Sequence, residues 1–458
     1  MFRINIALFF ILLKMNIFVT VARKKATHAL TRPEFQTMLN ISLAKALPLN
    51  IVEHSRWEDK ETKLKWTSLS MDTLVTRRPV GDESEVPSQR RLPMLLVQPK
   101  HNEDMAVPVV IFVHGTAKGK SDAKTIMTRY ALDYGAAGIS FDVRYHGARG
   151  VITMEEEIEG SYLNEMARAK REGPYFQAII DNWRSKPGEQ TERPFIFDTV
   201  LDATRVLDFI ESRSDLFDIS RIGMTGVSLG GTITWFTAAA DERIAVAVPL
   251  IGFQWFAWGR DNDAFHGRVR SLERPFQVAA KDLGKAYVDR NSYVSFLEKV
   301  APGLLHEYDA PATLPLISPR PFLIISGEHD PRCPLYGVAS VFLHALDTVY
   351  THAKHKLALY IGRGIGHDID DTMWGAADAW FIRFLFNPRA NDTGVDDLRF
   401  LLKNTPIPNS DIAALRRPPN AEHTKIVFQY LSTFPELHPD DSSEKDARSK
   451  IKRGGEEL

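Results

Sequence analysis

The sequence predicts an α/β fold, a mainly parallel sheet of eight strands with helices on both faces and a small helical insertion. Three observations predict it. Strand-length apolar runs alternate with helical periodicity along most of the chain, the pattern of parallel βαβ units. A Gly-x-Ser-x-Gly turn, Gly226-Val227-Ser228-Leu229-Gly230, stands where one such run passes into a helix rich in Thr and Ala. Two later runs each lead into a loop, the first carrying acids and the second a histidine.

The elements follow in order. Residues 34–90 read as a peripheral helical stretch to about residue 60, then an edge strand at 65–71, with a charged loop over 77–90. The core resumes over 91–252 with strands at 91–97, 109–113 and 138–143, and a helix near 121–137. A helix over 198–212 repeats apolar residues at three- and four-residue spacing. The elbow strand, Ile222 to Thr225, and a strand over 244–251 complete this part. After the insertion, residues 317–390 supply strands at 322–325 and 357–361. A helical extension over 391–436 and a charged, apolar-poor tail over 437–458, expected to be disordered, end the chain.

Two insertions break the alternation. Residues 151–197, with the Glu155-Glu156-Glu157 run, read as a solvated decoration. Residues 253–316 carry Phe253, Trp255, Phe256, Trp258, Phe265 and Phe276 between the strand after the elbow helix and the acid strand. They are expected to lie as a helical lid over the C-terminal edge of the sheet, where pockets of open α/β folds form.

A serine hydroxyl becomes a useful nucleophile when a histidine takes its proton and a carboxylate orients that histidine. The elbow lifts Ser228 clear of the sheet, and Gly226 and Gly230 flank it because side chains there would collide across the turn. Downstream, Phe322 to Ile325 leads to Glu328-His329-Asp330-Pro331-Arg332-Cys333-Pro334, and Leu357 to Ile361 leads to Gly362-Arg363-Gly364-Ile365-Gly366-His367. The order serine, acid, histidine is that of a triad built on successive strand ends. Asp330 is preferred to Glu328 as the acid because it lies further into a proline-fixed turn. His367 is preferred to His329, His352 and His355 because it alone tips a glycine-rich loop just after a strand. An oxyanion hole needs two N–H donors; Leu229 is expected to give one and Thr116 the other, with Gly115 letting its loop fold inward after the 109–113 strand. His114 reads as a brace for that loop. In Asp142-Val143-Arg144-Tyr145-His146-Gly147-Ala148-Arg149, Arg149 could bind a substrate carboxylate, but pairing of Asp142 with Arg144 to brace the loop is the preferred reading.

Composition narrows the function classes. The 57 Lys and Arg against 58 Asp and Glu leave no basic field, so nucleic acid is excluded as an expected partner. The single cysteine, Cys333, excludes an intrachain disulfide and a cysteine-cluster metal site, and it favours an intracellular setting, cytoplasm or organelle. No cofactor or metal is expected. Residues 1–33 are basic, with no acid before Glu34, and their apolar runs Ile4 to Leu13 and Ile17 to Ala22 are split by Lys14-Met15-Asn16. The split disfavours a signal peptide or a membrane span. An organellar presequence, a weak anchor through residues 4–22 and translation from Met15 stay open.

With these residues assembled, the chain resembles the α/β-hydrolase superfamily over about residues 91–390. His114-Gly115, Asp142-x-Arg144-Tyr145-His146-Gly147, Gly226-x-Ser228-x-Gly230, Gly327-x-x-Asp330-x-x-x-Pro334 and Gly366-His367 are most similar to two branches. These are the prolyl oligopeptidase catalytic domain and the acetyl xylan esterase and dienelactone hydrolase-like esterases. The resemblance implies Ser228 as nucleophile, Asp330 as acid and His367 as base. Residues 1–90 are too short for the propeller of true prolyl oligopeptidases. The expected activity is cofactor-free hydrolysis of a small carboxylic ester. The alternatives are a peptidase or amidase acting on short peptides, and a non-catalytic binding protein on the same fold.

Overall fold

The computed structural model describes residues 29–75, 89–100, 106–150, 165–186, 189 and 192–386. The expectations for residues 4–22, the 155–157 acidic run, the 391–436 helices and the 437–458 tail lie outside the described residues.

The described residues build a nine-stranded sheet in the order β1-β2-β3-β5-β4-β6-β7-β8-β9. Its strands are β1 (Val52–Glu58), β2 (Lys65–Asp72), β3 (Arg91–Gln98), β4 (Val107–Val113), β5 (Ala137–Phe141), β6 (Phe217–Val227), β7 (Val246–Leu250), β8 (Phe322–Gly327) and β9 (Leu357–Gly362). The pairs β1/β2, β2/β3 and β3/β5 are antiparallel, and every pair from β5/β4 to β8/β9 is parallel. The expected mainly parallel sheet is present with one strand more than eight. The extra strand is β1, which falls where a helical stretch was expected. Short helices α1 (Arg32–Met38) and α2 (Ile41–Lys45) do precede it, but Val52-Glu53-His54-Ser55-Arg56-Trp57-Glu58 forms an edge strand exposed at every residue. A strand buried on neither face has no reason to alternate, so no period of two marks it in the sequence.

The centre of the sheet shows the opposite pattern. β4, β5 and β7 are buried at every position because helices cover both faces. On one side lie α5 (Phe197–Ser212) and α6 (Leu229–Ala240). All twelve residues of α6 are buried, and two of its three threonines return their hydroxyls to nearby carbonyls, Thr234 to Gly230 and Thr232 to Gly252. Buried hydroxyls satisfied in this way avoid a desolvation cost of about 1–3 kcal/mol each. On the other side lie α3 (Lys124–Asp133) and α13 (Asp371–Phe381), where Met127, Tyr130, Trp380 and Phe381 join the sheet's second apolar layer.

The segment between β7 and β8 folds as five short helices: α7 (Phe256–Asp261), α8 (His266–Ser271), α9 (Glu273–Asp282), α10 (Arg290–Val300) and α11 (Ala310–Thr313). The 20-residue α4 (Glu165–Arg184) runs against α9 and α10, with Phe276, Tyr293 and Phe296 clustered in the layer they share. Asp309 fastens this unit: its carboxylate accepts from the N–H groups of Phe256, Ala257 and Ala310, joining the start of α7 to the start of α11. The last helix before the C-terminal part of the sheet ends is α12 (Leu335–Thr348), between β8 and β9. No helix among the described residues is long and apolar enough to cross a membrane.

Candidate active site

β6 delivers Ser228 into backbone angles of φ 56° and ψ −109°, a region side-chain-bearing residues avoid and one that costs about 1–3 kcal/mol. The surroundings enforce it. A Cβ on Gly230 would sit 2.0 Å from the Val113 carbonyl oxygen at the end of β4, and one on Gly226 would sit 2.6 Å from the Gly230 carbonyl carbon. Only glycine at both places lets the turn close against β4. From the other side, the Ser228 N–H donates to Leu250 O of β7 at 2.9 Å. The serine therefore projects from a turn clamped between two parallel strands.

The two later loops reach it. Ser228 Oγ lies 2.7 Å from His367 Nε2, and His367 Nδ1 lies 2.8 Å from Asp330 Oδ2. Nδ1–H donating to the carboxylate leaves the Nε2 lone pair facing the serine hydroxyl. Asp330 is fully buried at its side chain, and its other oxygen accepts from the N–H groups of Arg332 and Cys333. Burial pushes the His367 imidazole below its ordinary value of 6.5; Asp330 opposes this, while the cations of Arg332 and Arg268 add to it. Neutral imidazole at neutral pH is the form that can accept a proton.

The sequence weighed Glu328 against Asp330, and the structure gives Glu328 a different place. Its buried carboxylate accepts from Gly364 N–H at 2.8 Å and so holds the glycine-rich loop that carries His367. His329 donates its backbone N–H to Ile365 O in the same seam.

The loop after β4 lies beside the serine: a Cβ on Gly115 would meet Val227 O at 3.3 Å and Ser228 Cβ at 3.8 Å. Among the described residues, neither the Thr116 nor the Leu229 N–H donates to another protein group. Leu229 opens α6, where backbone donors have no partner within the helix. His114 braces this loop, bonding Gly115 O through Nδ1 and accepting from Val143 N–H at Nε2.

The Asp142–Arg149 loop is structural, with pairings other than the expected one. Asp142 and Arg144 do not bond to each other. Asp142 takes Lys120 Nζ at 2.9 Å, and Arg144 takes Asp202 at 2.7 Å and Glu192 at 3.0 Å. Arg149 is buried and shares Asp202 at 2.6 Å, so its guanidinium is engaged by an internal carboxylate. Burial works to raise the Asp202 carboxyl, but the two guanidiniums outweigh it and hold it ionised. Lys120 and Asp202 went unnoticed in the sequence because each partner lies on a different element.

Cys333 Sγ, Asp330 and His367 bring donor atoms within 4.8 Å of one another. The thiol donates to Ile251 O at 3.3 Å, and burial pushes its ionisation well up. A neutral thiol with both neighbouring groups bonded to each other is a poor metal ligand.

Comparison with known proteins agrees with this architecture. The sequence model of the prolyl oligopeptidase family matches residues 198–377, and that of the acetyl xylan esterase family matches residues 87–255. Two relatives in Bacillus subtilis (strain 168) are YtaP, provisionally named a hydrolase, and YitV, provisionally named an esterase. The first is 28% identical over 36% of this chain and 42% of its own length, the second 26% over 35% and 51%. The chain thus spans about half the length of the curated relatives it matches. The solved acetyl xylan esterase from Paenibacillus sp. R4 superposes with a TM-score of 0.52, at 16% identity, over 80% of this chain and 99% of that one. Acetyl xylan esterase 1 from Thermoanaerobacterium sp. JW/SL YS485 gives 0.50, at 14% identity, over 78% and 93%. The chain has the α/β-hydrolase fold and resembles both families.

Proposed function

We propose that the protein is a cofactor-free serine hydrolase that cleaves carboxylic esters through an acyl-enzyme. The observation that carries the reading is the continuous relay from Ser228 through His367 to Asp330, with links of 2.7 and 2.8 Å. In this reading His367 Nε2 takes the hydroxyl proton as Ser228 Oγ bonds to the ester carbonyl carbon. The tetrahedral oxyanion is held by the Leu229 and Thr116 N–H groups, and its collapse expels the alkoxide, which receives the proton from His367. A water repeats the sequence on the acyl-enzyme and releases the acid. Asp330 holds the imidazole tautomer and stabilises the imidazolium. The helical segment over 253–316 is read as the lid that shapes the substrate pocket.

Peptide or amide hydrolysis is the second reading. It is favoured by the prolyl oligopeptidase match, which spans Ser228, Asp330 and His367, whereas the acetyl xylan esterase match spans Ser228 and the loop after β4. Comparing 4-nitrophenyl esters with aminoacyl 4-nitroanilides separates the two.

A fluorophosphonate probe tests the common premise. Wild type is expected to be labelled, with labelling lost in Ser228→Ala. Labelling of both to the same extent, or of neither, overturns the reading and revives a binding protein on this fold.

A further inference from the structure

The seam between the lid and the acid loop holds a cation that the reaction described above does not use. Helix α8 is seated directly on the loop of Asp330: a Cβ on Gly267 would lie 1.7 Å from the Pro331 carbonyl oxygen and 2.8 Å from Arg332 N. The next residue, Arg268, is half-buried, with its guanidinium carbon 5.5 Å from the centroid of the Phe256 ring. Nη1 donates to Ser271 Oγ at 3.2 Å. Gln254, oriented so that its amide nitrogen donates to Arg332 O at 2.9 Å, turns its oxygen to accept from Arg268 Nε at 3.1 Å and from Nη2. Gln254 itself follows Gly252, whose Cα packs so closely on the elbow that a Cβ there would lie 2.4 Å from Ser228 O. Three anchors therefore fix Arg268 against the acid loop: α8 seated on that loop, Gln254 in the segment after β7, and the Phe256 ring.

What the guanidinium lacks is an anion. Among the described residues no carboxylate pairs with Arg268, in contrast to Arg144, Arg149 and Arg243, each of which does have one. The acid loop offers Asp330, whose oxygens are already taken by His367 and two backbone N–H groups, and Glu328, whose carboxylate takes the Gly364 N–H. The Arg268 guanidinium also hydrogen-bonds the Cys333 thiol of the acid loop, and its charge acts on His367. A fixed, partly desolvated guanidinium with no carboxylate partner among the described residues is suited to binding a carboxylate through a charge-assisted hydrogen bond.

We propose that Arg268 is a specificity residue that selects esters bearing a carboxylate, with Gln254 holding its fork in position. The proposal rests on the serine-hydrolase reading and names the substrate class for that same site. The anionic group would lie on whichever part of the ester, acyl or alcohol, is directed towards α8. The charge would also draw anionic substrates to the mouth beside Ser228, an effect that salt weakens.

The test uses two matched pairs of esters on the full-length protein. One pair places the charge on the acyl side, 4-nitrophenyl hemiglutarate against 4-nitrophenyl pentanoate. The other places it on the alcohol side, 4-acetoxybenzoate against its methyl ester. Wild type is expected to favour the anionic member of one pair in kcat/KM. Arg268→Gln is expected to lower that anionic-to-neutral ratio by about ten- to a hundredfold, the range expected for a lost charge-assisted contact. Arg268→Lys is expected to restore part of it. A wild-type preference for the neutral member of both pairs overturns the proposal, as does a loss in Arg268→Gln shared equally by charged and neutral esters. Fluorophosphonate labelling keeps the two claims apart: a labelled enzyme without anion preference sinks this proposal alone, and an unlabelled one sinks the hydrolase reading with it.

Discussion

Replacing Gly267 by alanine drives a methyl group into the loop that carries Asp330. Its carbon would lie 1.7 Å from Pro331 O and 2.2 Å from Pro331 C, both backbone atoms that cannot rotate away. Carbon and carbonyl oxygen approach no closer than about 3.3 Å even in favourable contacts. Helix α8 or the acid loop must therefore retreat by roughly 1.6 Å. The packing penalty for such an insertion is about 1–3 kcal/mol. It outweighs the roughly 0.5–1 kcal/mol that alanine ordinarily gains over glycine inside a helix.

The cost to activity exceeds the cost to stability. Asp330 is two residues from Arg332, and Asp330 Oδ1 takes Arg332 N–H at 2.8 Å, so the carboxylate moves with the loop. A displacement of about 1 Å in a positioned catalytic group can cost on the order of 10²-fold. The measurements are the fluorophosphonate labelling rate, ester kcat/KM and the thermal midpoint, taken beside Gly259→Ala. Gly259 lies in the same helical segment, and its nearest neighbour to a Cβ is 3.7 Å away, an ordinary contact. We expect Gly267→Ala to lose roughly a hundredfold in rate and to unfold at lower temperature, and Gly259→Ala to stay close to wild type. If the two variants behave alike, the seating of α8 on the acid loop is wrong.

Two further expectations concern pH. Burial keeps His367 below the ordinary imidazole value of 6.5, and only the neutral ring can accept the serine proton. Ester kcat/KM should therefore rise with pH through a midpoint below 6.5 and stay level above it; a midpoint above 6.5 would contradict the burial argument. His146 is pushed down to about 3 by burial, helped by the neighbouring His114 ring. The unfolded chain protonates this residue near 6.5 while the native protein does not, so stability is full above 6.5 and falls as pH drops from there towards 3. The slope for one such group is at most about 1.4 kcal/mol per pH unit. Thermal midpoints of wild type and His146→Phe between pH 7 and 4.5 should diverge, with the variant's acid decline shallower; parallel curves would refute it.

Where sequence and structure agree, the reason is topological. Ser228, His367 and Asp330 each follow a strand of a parallel sheet, so their loops emerge at one edge whatever the details of packing. Order along the chain and a strand before each residue pointed to the loops, and the proline-fixed turn and the glycine-rich tip singled out Asp330 and His367 within them. The strands of the sheet centre were equally legible because burial on both faces demands unbroken apolar runs. β1 was not, since exposure at every position leaves its composition free. The pairings of Lys120 with Asp142 and of Arg144 and Arg149 with Asp202 were hidden for another reason. Charged residues on separate elements are recognised as buried partners only when helix α5 and the loops after β4 and β5 are brought together.

The glycines make the same distinction more sharply. A Cβ on either Gly226 or Gly230 would collide with the end of β4, but the clash of Gly226 with Gly230 lies within five residues of sequence, so that part is written as a motif. Gly267 is under at least as severe a constraint, with a shorter forbidden contact than either, but the atoms it must avoid belong to Pro331 and Arg332 on another element. No spacing within α8 records that requirement. The same holds for Arg268: its neighbours on the chain give it no role, and only the seating of α8 on the acid loop brings its guanidinium against that loop. The chemistry common to the fold is thus encoded locally, at strand ends and turns. The features that would choose a substrate are encoded in contacts between distant segments, and those become visible only when α8 is seen resting on the loop of Asp330.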